Sequence, residues 1–139
     1  TEIISQILYL SSIVNKNFNI VFMGMGEPLD NYENLNKATN ILINKKYFDI
    51  SISRITVSTS GIINKIKKLL NDFPLINISI SINSMIQKNR EVLMPISIKF
   101  PINKLFDELN KCYLKYKKES VTLFTFNIVM WVLRPNISI

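Results

Sequence analysis

No histidine occurs among the 139 residues, and cysteine occurs once, as Cys112. The first absence removes serine–histidine and cysteine–histidine nucleophile pairs and most zinc sites. The second removes a disulfide framework and any cysteine-ligated cluster built within this chain, so no metal ligand set is expected here. Glycine is also scarce, with three residues. No apolar run approaches the roughly 18 residues that a membrane-spanning helix needs, so no membrane partner is expected. Thr1-Glu2-Ile3-Ile4-Ser5-Gln6 carries neither an initiator methionine nor a basic signal-peptide start. That opening leads us to expect a chain that begins inside a longer protein. Any chemistry must come from carboxylates, hydroxyls, amides, backbone groups and a bound cofactor.

What is present suits a folded domain or part of a larger one. Hydrophobic residues make up 47% and charged ones 19%, enough apolar surface for a core and too little charge for a disordered chain. The net charge is +7, from 17 Lys+Arg against 10 Asp+Glu. That balance favours a polyanionic partner such as RNA, through phosphate contacts and counterion release. Abundant Ile, Asn and Lys are also what an A+T-rich coding sequence produces, and charge alone leaves both origins open.

Helix-period and strand-type segments alternate along the chain. Within residues 2–14, Ile3, Ile4, Ile7 and Leu8 share a helical face. Asn19-Ile20-Val21-Phe22-Met23 is a short continuous apolar run, as expected of a strand buried on both faces. Leu35, Ala38, Ile41 and Leu42 predict a second helix. Arg54-Ile55-Thr56-Val57-Ser58 is rich in β-branched residues and predicts a strand. Ile62, Ile63, Ile66, Leu69 and Leu70 predict a third helix, with Lys65, Lys67 and Lys68 outside. A strand follows over 76–81. A long amphipathic helix opened by Pro101 then carries Ile102, Leu105, Phe106, Leu109, Tyr113 and Tyr116. The last strand is expected over 121–130. Repeated βα units of this kind imply an α/β fold with a parallel sheet, about half of a barrel or doubly wound sheet, with the barrel fragment preferred.

In such folds the functional groups gather where strands end. Three places qualify. Gly24-Met25-Gly26-Glu27-Pro28-Leu29 spends two of the three glycines in one loop, leaving backbone open to a ligand. Glu27 there can accept hydrogen bonds from a cation such as an amino-acid ammonium, or be an ordinary surface carboxylate in a turn. Ser58-Thr59-Ser60-Gly61 offers hydroxyls to a ribose, carboxylate or phosphate, or caps the next helix. In Ser81-Ile82-Asn83-Ser84, strand alternation would point Ser79, Ser81 and Asn83 to one side. Arg90 can contact a phosphate or ligand carboxylate, or form a structural ion pair.

Together, Phe22-Met23-Gly24-Met25-Gly26-Glu27-Pro28-Leu29, Arg54-Ile55-Thr56-Val57-Ser58-Thr59-Ser60-Gly61, and Ser81-Ile82-Asn83-Ser84 with Arg90 and Met94-Pro95-Ile96 resemble the RlmN/Cfr family of radical S-adenosylmethionine RNA methyltransferases. The order and approximate spacing agree, over about residues 2–130. The first motif is highly specific, and the other two add weight through their order.

The resemblance implies a partial (β/α) radical-SAM-type barrel holding S-adenosylmethionine and a 4Fe-4S cluster at its open end. It implies methylation of an adenine in large-subunit, 23S-type rRNA, and in some members tRNA. One S-adenosylmethionine methylates a C-terminal cysteine, and a second is cleaved reductively to a 5′-deoxyadenosyl radical that activates that methyl group. An electron donor for the cluster is implied as a partner. The setting is the cytoplasm or an organelle with its own ribosomes. Gly26 and Glu27 match the segment that holds the methionine part of the cofactor. Ser58 matches a cofactor-contacting serine, and Ser81, Ile82 and Asn83 match a strand-end Ser-Leu-His tripeptide below it. Asn83 keeps hydrogen bonding but supplies no imidazole.

Several features depart from the family. Its C-x-x-x-C-x-x-C cluster loop would lie just before Thr1, and its methyl-carrying cysteine beyond Ile139. The expectation is therefore one incomplete radical-SAM core domain over 1–139, inactive alone and with no catalytic residue of its own. Cys112, between Lys111 and Tyr113, reads as a small helix residue. Asn127 stands where many relatives have Glu, and Trp131-Val132-Leu133-Arg134-Pro135 no longer follows the family. A second reading is an inactive basic RNA-binding remnant with Lys-rich helix faces. A third is another βα-barrel enzyme that binds a nucleotide-like ligand through Gly26 and Ser58.

Overall fold

The computed structural model describes residues 2–14, 18–23, 25–116 and 124–127. In chain order the elements are α1 (Glu2–Ser11), β1 (Ile20–Phe22), α2 (Tyr32–Ile43), β2 (Ile55–Thr59), α3 (Ile63–Asp72), β3 (Asn77–Ser81), α4 (Gln87–Leu93), α5 (Ile102–Tyr116) and β4 (Phe124–Asn127). Short 3-10 turns occupy Pro28–Asn31, Ile52–Arg54 and Pro95–Ile98. The four strands form one open sheet in the order β1-β2-β3-β4, every pairing parallel. Parallel neighbours need crossover connections, and the helices supply them. The expected α/β architecture, an unclosed portion of a (β/α) barrel, is what the chain forms.

Register sorts the side chains. Ile20 pairs with Ile55 and Phe22 with Val57, while Val57 pairs with Ile78 and Thr59 with Ile80. These residues share one face because side chains alternate along a strand. That face meets Leu35 and Leu42 of α2, Ile66, Leu69 and Leu70 of α3, and Leu105 and Leu109 of α5 in a single core. Burying each such aliphatic side chain is worth about 1.5–3 kcal/mol relative to exposure. The opposite face carries Val21, Thr56, Ser58, Asn77, Ser79 and Ser81, so one side of the sheet is hydrocarbon and the other mostly hydroxyl and amide.

Several sequence expectations change. β1 is an edge strand rather than a strand covered on both faces, and its Val21 is 50% exposed. Leu8 lies off the buried stripe of α1, where only Ile7 is fully covered. The polar stripe of β3 ends at Ser81, because Asn83 has φ +59° and the alternation breaks there. α4 had no counterpart in the sequence reading. Of the last expected strand, Phe124–Asn127 is observed as β4. The remainder of 121–130, like Trp131 to Pro135, lies outside the described residues. Among the described residues no helix is long and apolar enough to cross a membrane.

Candidate functional site

Pro28 opens a 3-10 turn directly after Glu27, and the Glu27 carboxylate caps it by accepting the Leu29 N–H at 3.1 Å through Oε1. Its other oxygen, Oε2, reaches across to the end of β2. There it accepts the Ser60 N–H at 2.7 Å and the Ser60 hydroxyl at 2.5 Å. Glu27 therefore joins the loops after β1 and β2. A carboxylate offers about four acceptor positions; three are used by protein donors, and among the described residues one on Oε1 is left for another donor. Beside it, a Cβ built on Gly26 would meet nothing within 4 Å, so this backbone faces open space.

The hydroxyls at the end of β2 do not cap α3, as the sequence allowed. The residue at that position is Ile62, which makes no side-chain cap. The Ser60 hydroxyl goes to Glu27, and the Thr59 hydroxyl accepts the Gly61 N–H at 3.1 Å. Gly61 itself has φ +103°, and an added Cβ would lie 2.8 Å from a methyl carbon of Leu105. Glycine is thus required both by the backbone and by the close approach of α5. Ser58, one pair earlier, is buried on the polar face beside Ser79.

At the end of β3, Ser81 is half-buried and Ile82 is buried in the core. The Asn83 amide nitrogen donates to Met94 Sδ at 2.9 Å, while its buried Oδ1 has no partner among the described residues. Sulfur is a weak acceptor, so either orientation of this amide leaves a buried polar group poorly satisfied. Of the residues singled out in the sequence, Gly26 and Glu27 are brought to the end of β2. Ser58, Ser81, Ile82 and Asn83 line up along neighbouring strands. An apolar groove of about 560 Å³ between α1 and β1 borders Gly26 and Glu27, but Ser58 and 81–83 lie elsewhere. The strand ends, not that groove, hold the polar chemistry.

Arg90 is the residue whose role sequence reasoning missed. Among the described residues it forms neither an ion pair nor an exposed contact. Completely buried, it donates from Nη2 to the Ser60 carbonyl at 2.7 Å and from Nη1 to the Phe100 carbonyl at 3.2 Å. Its Nε has no partner, and burial lowers the pKa of the guanidinium.

The Lys-rich helix faces also differ from expectation. Lys65 pairs with Asp30 at 2.9 Å and Lys68 with Glu33 at 3.0 Å, while Lys67 pairs with Glu108. Lys68 also sits 4.2 Å from the centroid of the Tyr32 ring. These α3 lysines are matched by acids on neighbouring elements, so the α3 face carries less free positive charge than its sequence suggests.

The residues fit one of the two implied groups. An open acceptor position on Glu27, bare backbone at Gly26 and the partnerless Asn83 Oδ1 suit the amino-acid and nucleoside parts of S-adenosylmethionine. They do not fit a 4Fe-4S cluster. Cys112 is the single cysteine, it is buried in α5, and burial pushes its thiol pKa up. Among the described residues no group of three His, Cys, Asp or Glu side chains could hold a metal ion.

The chain is 42% identical over 122 residues to "Probable dual-specificity RNA methyltransferase RlmN" of Aquifex aeolicus, covering 84% of this chain and 35% of that protein. It is 44% identical over 109 residues to "Ribosomal RNA large subunit methyltransferase Cfr" of Lachnoclostridium phytofermentans, covering 78% and 31%. The crystal structure of a radical SAM methyltransferase from Sphaerobacter thermophilus superposes with a TM-score of 0.72 at 30% identity, covering 79% of this chain and 31% of that one. The chain thus spans about a third of the length of these relatives. No family model matches.

Proposed function

This chain belongs to the RlmN/Cfr family of radical-SAM RNA methyltransferases, and on that premise we propose that its strand ends hold the S-adenosylmethionine with which a longer enzyme methylates an adenine of 23S-type large-subunit rRNA. The observation that carries the reading is the Glu27 carboxylate, fixed by three protein donors at the junction of β1 and β2 with one acceptor position open. That position suits the ammonium of the methionine part, and a charge-assisted bond there gives direction as well as affinity. Gly26 lets the amino-acid end approach bare backbone. Ser58 and Ser81 offer hydroxyls along the polar face, Ile82 is turned into the core and anchors the strand end there, and Asn83 Oδ1 accepts from the nucleoside.

When bound, one S-adenosylmethionine would supply the methyl group and a second, on reductive cleavage, the radical that activates that group for addition to adenine. The residues described here bind and orient it. The chain is one part of a radical-SAM core domain, and the cluster ligands lie outside this chain. The enzyme draws on an electron donor and works where ribosomes are made, in the cytoplasm or in an organelle that has them. An RNA substrate follows from the names of the relatives, and tRNA is the second substrate class.

Equilibrium dialysis of radiolabelled S-adenosylmethionine against this chain tests the reading. Retention by the wild type, with about tenfold weaker retention by Glu27→Gln, is expected from the loss of one charge-assisted bond. No retention would sink the proposal. Mass spectrometry of rRNA and tRNA from cells with and without the full gene then reads which adenine gains a methyl group.

A further inference from the structure

Between the Glu27 carboxylate and the Arg90 guanidinium lies one residue, Ser60. Its N–H and hydroxyl point to the carboxylate, at 2.7 and 2.5 Å, and its carbonyl receives Nη2 of Arg90 at 2.7 Å. A buried cation and a carboxylate are therefore joined through backbone, with no direct ion pair. A buried guanidinium without a carboxylate partner carries a large desolvation cost. The same side chain also donates to the Phe100 carbonyl, which fixes it to the segment leading into α5. α4 carries Arg90 as its single buried residue.

We infer that Arg90 is a positioning residue for the cofactor site: it holds the Ser60 backbone from its carbonyl side so that the Ser60 N–H and hydroxyl aim the Glu27 carboxylate at the methionine end of S-adenosylmethionine. The inference rests on the function proposed above and extends it to a residue that touches no ligand. A planar fork suits this work better than an ammonium, because two carbonyls from different segments must be gripped in fixed geometry. Displacement of the Ser60 backbone would loosen two of the three bonds that fix Glu27. The nucleoside end, held by β2 and β3, would keep its contacts.

Two readouts on the 139-residue chain test this, one of them without ligand. In the free protein the Ser60 amide proton, bonded to a carboxylate, should resonate far downfield and move upfield in Glu27→Gln. Arg90→Met should move it the same way, and Arg90→Lys by less, while the ladder amides of Val57 and Ile78 stay in place. Should Arg90→Met fail to give those ladder signals, Arg90→Lys decides. An unmoved Ser60 amide in the folded variant overturns the inference. By calorimetry, Arg90→Met should weaken S-adenosylmethionine about tenfold, the equivalent of one hydrogen bond to a charged group. It should change 5′-methylthioadenosine, which lacks the amino-acid part, by less than about twofold. Equal weakening of both ligands would make Arg90 merely structural and overturn the inference. If the wild type binds neither ligand, the proposed function fails, and the Ser60 amide alone decides the role of Arg90.

Discussion

Two regions of this molecule join opposite charges across elements, and they do it in opposite ways. On the outer helices, Lys65, Lys67 and Lys68 meet Asp30, Glu108 and Glu33 directly, with partly exposed side chains and solvent around them. At the strand ends, Glu27 and Arg90 never touch, and the Ser60 residue between them bonds to both. Exposed pairs are screened and cost side-chain entropy, so each contributes about 0–1 kcal/mol. A buried group left without its partner costs far more. The lesson is that the visible ion pairs are the less consequential electrostatics of this fold.

The comparison breaks most sharply at Arg90. Arg90→Met should leave the Ser60 and Phe100 carbonyls without their donor and cost about 3 kcal/mol in urea unfolding; a cost under about 1 kcal/mol would mean the two regions do not differ. Gly61→Ala comes next, at about 2 kcal/mol, because φ +103° disfavours a side chain and Leu105 must give way. Leu105→Ala in the same background should recover part of that loss relative to the sum of the single costs. Lys68→Ala should change stability by no more than about 0.5 kcal/mol and should matter even less in 1 M salt.

Acid gives the finest test. The Glu108 carboxyl is held down to about 2 by hydrogen bonds from Lys111 first and Lys67 second. Its folded value lies below its unfolded one, so its contribution is full above about pH 4.5 and fades as pH falls towards 2. Glu108→Gln should flatten the melting temperature across that window, lowering it at pH 7 by the small worth of a surface pair and leaving it unchanged near pH 2. A steep acid limb that survives the substitution would point to other carboxylates. On the α2 side, burial pushes the Tyr32 phenol pKa up, and its hydrogen bond to Asp72, at 2.5 Å, adds to the rise.

Sequence reasoning reached the strands because β-branched runs such as Ile55-Thr56-Val57 carry their own signal. The motif loops were legible for the same local reason: glycines, a glutamate and hydroxyls stand at strand ends. α4 was not legible. Its sequence, Gln87-Lys88-Asn89-Arg90-Glu91-Val92-Leu93, buries only an arginine, so no apolar stripe exists for periodicity to detect. The link from Glu27 to Ser60 was hidden too, since 33 residues separate them and only parallel registry brings them together. Ser60 looked like a helix cap by type, and its actual partner lies on another loop. The partial exposure of β1 follows from its place at the sheet edge, which a short apolar run does not disclose.

The sheet order also has a consequence in time. Every strand pairs with its successor in the chain, so no strand must wait for a distant one before it can add. The separations are unequal: Thr56 meets Asn77, whereas Ile20 meets Ile55 and Ile78 meets Phe124. The shortest loop costs least entropy to close, which makes β2-α3-β3 the natural nucleus. Alanine substitutions at Ile66 and Leu69 should then slow refolding, while those at Leu35 and Leu42 should chiefly hasten unfolding. Glu27 would be captured by Ser60 only after that nucleus exists, so the junction between the loops after β1 and β2 forms later than β2-α3-β3 and is lost before it.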